Sequence, residues 1–292
     1  MGVETRSATA KAFEVDPDVM WKKFGRESFE VKHNLTGHPL LTLDRLAQLA
    51  DALPPDQAEH TDSDAPEILP EGGKQDETLS AGDVVRGIET NGKWMVLKRV
   101  HTDPSYQELA DWILGEVKSE VVESEGGRIT SECYILISSG GSSVPSHFDP
   151  EYNLLFQIYG TKEMTVGSFP DLETEEAEAE RYYGGGHRNI SDTPANATTY
   201  PMEPGIGVHI PPHAPHMIKN GPSYSISLST SFYTAERARL VDVYSMNARL
   251  RKAHLSPSRP GEHPGRDRMK AGAWRGMRHG RDRIRALTGS GH

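Results

Sequence analysis

Residues 224–233 constrain this chain more than any other segment. Tyr224, Ile226, Leu228, Thr230 and Phe232 alternate with Ser225, Ser227, Ser229 and Ser231. Period-two alternation over nine residues is incompatible with a helix and describes a strand with one apolar and one hydroxyl face. The apolar face belongs to a core. The serine face either meets solvent or lines a polar cavity, where small hydroxyls leave room for a ligand. The same period begins near Arg128. It predicts strands at 131–138, 154–158 and 162–169, separated by turns at Gly140-Gly141-Ser142 and Tyr159-Gly160-Thr161. The middle of the chain is therefore mainly β.

His147-Phe148-Asp149 lies within this β region, and His216 follows 67 residues after Asp149. On a strand, residues i and i+2 share a face, so His147 and Asp149 can reach one ion without distorting the backbone. Two imidazoles and one carboxylate form the facial ligand set of non-haem Fe(II) centres, which leaves the opposite positions open. His213 is the rival third ligand, because His213 and His216 stand at i and i+3. The one cysteine, Cys133, rules out a disulfide within the chain and leaves a structural zinc site without thiolates.

The flanking residues carry a resemblance. The run from Ser143 to Lys162 has Pro145 two residues before the first histidine, Asn153 four after the aspartate, and an aromatic-Gln-Ile-x-Gly turn. Lys162 stands fifteen after His147. A second run reads Pro204-Gly205-Ile206-Gly207-Val208-His209-Ile210-Pro211-Pro212-His213-Ala214-Pro215-His216-Met217-Ile218-Lys219-Asn220. Over residues 83–233 the chain resembles the JmjC-type oxygenases of the cupin superfamily, in particular the factor-inhibiting-HIF-like branch. The resemblance implies a double-stranded β-helix (jelly-roll, cupin-like) barrel with flanking helices and a C-terminal helix. It implies a hydroxylase that uses Fe(II), 2-oxoglutarate and O₂. Its metal ligands would be His147, Asp149 and His216, with Lys162 pairing the distal carboxylate of 2-oxoglutarate inside the barrel. Asn153 would stand near the metal, and Ser231 where some relatives have a second cavity Asn. Val144 departs from the family, whose Thr at that place helps hold the carboxylate; Ser143, Tyr134 or the serine face, Ser229 included, would substitute. The alternatives are a metal-binding cupin module without turnover and a 2-oxoglutarate-independent cupin enzyme, for which Lys162 would have no purpose. The substrate is open between a protein side chain, an RNA base and a small metabolite.

Around the barrel, residues 1–12 read as disordered and 13–82 as a helical extension with a polar loop at 56–80. Thr42 caps a helix striped by Leu43, Leu46, Leu49 and Leu53, which Pro54-Pro55 ends. Residues 83–89 and 93–100 alternate like strands, and Ser105 to Glu108 reads as a capping box. An acidic run at 171–180 precedes an insertion at 181–203. Thr234 caps a helix over 235–252 with an apolar band, and relatives dimerise through such helices, so a homodimer is expected. That band could instead pack on the chain's own barrel.

The net charge of −10 conceals an asymmetry. From Arg251 onward there are eleven Lys/Arg against three Asp/Glu. Residues 255–292 are rich in Pro, Gly and Arg and read as a disordered basic tail. Such a tail could bind nucleic acid, but folding back on the acidic body is the more economical reading. No apolar run approaches a membrane span. The first residues lack a signal peptide's apolar stretch, so a cytoplasmic location is expected.

Overall fold

The computed structural model describes residues 11–63, 79–117 and 120–288. Its N-terminal part runs β1 (Phe13–Glu14), α1 (Pro17–Lys23), β2 (Phe29–His33), α2 (Leu43–Ala52), β3 (Ala58–Asp62), α3 (Ala81–Arg86), β4 (Lys93–Leu97), α4 (Pro104–Gly115) and α5 (Glu120–Ser124). Then come β5 (Arg128–Ser138), β6 (Ser143–His147), β7 (Tyr152–Tyr159), β8 (Lys162–Ser168) and α6 (Leu172–Tyr183). β9 (Ala195–Met202), β10 (Ile206–Ile210), β11 (His216–Asn220) and β12 (Ser225–Thr234) complete the sheets. α7 (Ala235–Lys252) and α8 (Pro264–Thr288) follow.

The strands form an eight-stranded sheet, β1-β2-β10-β7-β12-β5-β4-β3, facing a four-stranded sheet, β6-β11-β8-β9. Every pairing is antiparallel. From β5 to β8 the chain crosses between the sheets at each step, which is the winding of a jelly roll. Gly160 makes one crossing possible. Its φ is +71°, and a Cβ there would lie 2.2 Å from the Tyr224 carbonyl oxygen. Only glycine satisfies both conditions.

Two apolar layers hold the sheets. On the outer face of the large sheet, Ile135, Ile137, Leu154, Phe156 and Leu228 pack with Leu46, Leu49, Val84, Leu109 and Ile113 of the N-terminal helices. Between the sheets lie Leu155, Val208 and Ile210 of one and Met164, Val166, Met202 and Ile218 of the other. Ser229 pairs with Leu155 across β12 and β7, so the serine face looks into the barrel. All four serines are buried.

Several expectations are corrected. Residues 83–86 belong to α3 and 87–89 to the turn that ends it: Ser80 Oγ accepts from Asp83 N, and Val84, Val85 and Ile88 are buried. Short apolar runs fit both periods, and the cap decides between them. The cap of α4 is Asp103, whose carboxylate accepts from Ser105 N at 2.9 Å with Pro104 at the first turn; the expected capping box at Ser105 does not form. The loop at 56–80 contains β3, and residues 64–78 lie outside the described residues. Residues 195–202 of the insertion are a strand of the small sheet. Residues 1–10 of the expected disordered N-terminus also lie outside the described residues.

Among the described residues, most of the expected disordered tail is helix α8. α8 lies against α7 and is held chiefly by polar anchors, where the sequence offered few apolar ones. Arg275 Nε donates to the buried Asp242 at 2.6 Å, and Arg249 stands over the Trp274 ring at 5.0 Å. Asp267 and Ala271 are buried at the contact. α6 and α8 both lie against α7, whose Val243 and Tyr244 are buried while Leu240, Val241 and Leu250 are half-buried. Truncation after residue 260 strips Asp242 of its partner. A fall in melting temperature of about 2–8 °C is expected; scanning calorimetry showing no change would make α8 dispensable.

Candidate metal centre

His147 ends β6 and pairs across the small sheet with His216, the first residue of β11. Their ring centroids are 4.1 Å apart. Asp149 follows two residues after His147, and its Oδ2 is 3.6 Å from His216 Nε2. One ligand atom from each of the three lies within 4.8 Å of the others, and all three residues are buried. Ligands at right angles around an ion with bonds of about 2.1 Å stand roughly 3 Å apart, so a slight closure suffices.

The backbone presets the donors. His147 Nδ1 donates to the Pro145 carbonyl and His216 Nδ1 to the Ala214 carbonyl, each at 2.9 Å. Both rings then carry their proton on Nδ1 and offer Nε2 as a lone pair. Burial, with the neighbouring His216, pushes His147 well below its ordinary pKa. Burial likewise lowers His216, although Asp149 opposes it. Burial alone would raise Asp149, but Arg188 and the two imidazoles outweigh it and hold its carboxyl below the usual range. Neutral imidazoles beside an ionised carboxylate are in the state a divalent cation requires.

His213 stands outside this group. Its backbone is left-handed at φ +64°. Nε2 meets the Tyr183 hydroxyl at 2.9 Å and Nδ1 faces Glu175 at 3.3 Å. His209 is structural: its ring stacks on Phe24 at 4.3 Å, between the Asn153 carbonyl and Gly25 N.

Asn153 lies beside the ligands, its Nδ2 3.5 Å from Asp149 Oδ2 and its Oδ1 accepting from Ser229 Oγ at 2.9 Å. Ser231 pairs with Asn153 across the sheet, and its buried hydroxyl has no hydrogen-bond partner among the described residues. Tyr134 shares the inner face with Ser229, and its hydroxyl donates to Glu132.

Lys162 begins β8 on the same inner face as Met164 and Val166. It is 4% exposed. Burial alone lowers its pKa to about 7, with no opposing carboxylate among the described residues. A buried amine facing apolar side chains is an unmet demand for an anion. Val144, by contrast, packs on the inner apolar cluster, so no hydroxyl comes from the family's Thr position.

Two residues here escaped sequence reasoning. Arg188, from the segment between α6 and β9, donates from its guanidinium to Asp149 Oδ1. Asn220 ends β11 directly across from Lys162. It is buried, donates to Ser142 Oγ at 2.7 Å, and its Oδ1 lacks a partner among the described residues. The parity of β11 could have revealed Asn220, because it lies four residues from His216 and so on the same face. Nothing in the local sequence distinguishes Arg188 from other loop arginines.

Comparison with known proteins identifies the architecture. No family model matches the chain, and no curated protein matches its sequence. Solved structures do. An X-ray structure of Escherichia coli YcfD superposes with a TM-score of 0.55 at 16% identity, covering 90% of this chain and 68% of that one. The chain has the YcfD fold. A second structure, described as the E. coli ribosomal oxygenase YcfD, gives 0.53 at 16% identity, covering 90% and 66%. YcfD in complex with cobalt and 2-oxoglutarate gives 0.53 at 16% identity, covering 88% and 64%. The chain therefore spans about two thirds of the YcfD length. Among the described residues no helix is long and apolar enough to cross a membrane.

Proposed function

We propose that this protein is an Fe(II)- and 2-oxoglutarate-dependent oxygenase, a hydroxylase by its closest chemical analogy. The carrying observation is Lys162: a buried amine without a counter-ion, inside the same barrel as a preset His₂Asp donor set. A metal site alone fits any cupin. The added cation fits a co-substrate with a second carboxylate. The structures of YcfD with cobalt and 2-oxoglutarate, and with cobalt and succinic acid, support the reading by fold.

His147, Asp149 and His216 would hold the iron. When bound with 2-oxoglutarate and O₂, iron supplies the chemistry that converts 2-oxoglutarate to succinate and CO₂ and hydroxylates a C–H bond. The chain's own work is positional. Lys162 binds the distal carboxylate, with the Asn220 amide beside it. The apolar walls Met164, Val166, Ile218, Leu155 and Val208 exclude water along the co-substrate. Asn153, itself held by Ser229, would orient Oδ2 of Asp149. The substrate class stays open between a protein side chain, an RNA base and a small metabolite.

The test is anaerobic calorimetry followed by turnover. The Fe(II)-loaded protein is expected to bind 2-oxoglutarate and, on admission of O₂ with ascorbate, to release succinate that His216→Ala does not. Failure of the iron-loaded protein to bind 2-oxoglutarate would reject the reading.

A further inference from the structure

Asp149 has two carboxylate oxygens with different surroundings. Oδ2 faces the ligand group, 3.6 Å from His216 Nε2 and 3.5 Å from Asn153 Nδ2. Oδ1 accepts from the Arg188 guanidinium. An aspartate free at both oxygens can chelate one cation with both, which would use a coordination position that co-substrate or O₂ needs. A guanidinium on Oδ1 removes that option and leaves Oδ2 as the sole donor.

The arginine is placed by construction. The segment carrying it is stitched to the strand that ends on His147: Asn189 forms a β-bridge with His147, and Ile190 N donates to Ser146 O at 2.9 Å. Arg188 O accepts from Phe148 N at 3.4 Å, between the two ligands His147 and Asp149. From behind, Arg181 of α6 clamps the same segment, donating to the carbonyls of His187 at 2.7 Å and Asn189 at 2.9 Å. Glu178 in turn fixes Arg181. A chain from Glu178 through Arg181 to the bridge therefore sets where the Arg188 guanidinium sits relative to Asp149.

We propose that Arg188 is a positioning residue that makes Asp149 a one-oxygen ligand, and so sets both the affinity of the metal site and the number of positions left open. This rests on the metal-site reading above and deepens it.

The experiment titrates purified full-length protein with Co(II) and, anaerobically, with Fe(II), reading the visible absorption of bound cobalt. Arg188→Ala is expected to weaken metal binding about ten- to a hundredfold, the usual cost of losing an outer partner of a ligand. It should also shift the cobalt spectrum as Asp149 becomes free to chelate. Arg188→Lys, which retains a donor, should recover most of both, and Arg188→Gln serves if the alanine variant does not fold by circular dichroism. Wild-type affinity and an unchanged spectrum in Arg188→Ala would overturn the proposal. So would tighter binding, which would mean that Arg188 only competes with the metal for Asp149. If wild type itself binds neither metal, the metal-site reading fails instead, so the two failures are distinguishable.

Discussion

Lys162→Met is expected to stabilise the protein while removing its hold on 2-oxoglutarate. The folded amine has a pKa of about 7 against an ordinary 10.5, and burial is the cause. At about 1.4 kcal/mol per unit, holding this group in the barrel costs a few kcal/mol, which a similarly shaped apolar side chain avoids. Melting should rise by roughly 2–4 °C for each kcal/mol recovered. The gain has a pH signature. Between about 7 and 10.5 the unfolded chain carries the proton and the folded chain does not, so unfolding takes up a proton and wild-type stability increases with pH. The advantage of Lys162→Met is full below about pH 7 and fades as pH approaches 10.5. Binding shows the converse. A carboxylate restores the ammonium, so wild-type affinity for 2-oxoglutarate should fall as pH rises above about 7. The variant should bind about ten- to a hundredfold more weakly, with little pH dependence, for loss of a charge-assisted bond. Anaerobic calorimetry at pH 7, 8 and 9 decides; equal affinity in wild type and variant would remove Lys162 from the site.

Crossed phenotypes are expected at the four histidine and aspartate positions. His147→Ala, Asp149→Ala and His216→Ala should each abolish stoichiometric Fe(II) or Co(II) binding, because each removes one of three protein donors. His213→Ala should bind metal normally and instead lose stability by about 1–3 kcal/mol, since Tyr183 and Glu175 lose a buried partner. Metal titration beside thermal melts separates the two effects. Metal loss in His213→Ala with retention in His216→Ala would place the third ligand at the other histidine.

What sequence revealed and what it concealed follow from locality. The alternation at 224–233 is a local pattern and survives in the fold, whereas His147 and Asp149 come together although β6 ends at His147 and Asp149 lies past it. His216 rather than His213 was the ligand that the resemblance through Ile210-Pro211-Pro212 implied, and it is His216 that stands beside His147 and Asp149. Residues 83–89 were ambiguous because three apolar residues, Val84, Val85 and Ile88, are too few to separate the two periods, and the Ser80 cap selects the helix. The tail misled for another reason: composition counts apolar anchors, whereas α8 is held by Arg275 on Asp242 and by a cation over Trp274. Arg188 was invisible because its partner, 39 residues away, is brought near only by the bridge to His147.

The positions of Lys162 and His216 within the small sheet have one more consequence. His216 is opposite Val166 on β8, and Lys162 lies four residues further along that same strand. The span between them is set by strand rise, about 13 Å of backbone from which both side chains reach inward. Hydrogen-bond register thus acts as a gauge block: a slip of two residues would keep every side chain on its face yet change the span by about 7 Å. On the proposed function, the length of diacid that would bridge the metal and the amine is in this way written into the pairing of β8 with β11, apart from any side chain that touches it.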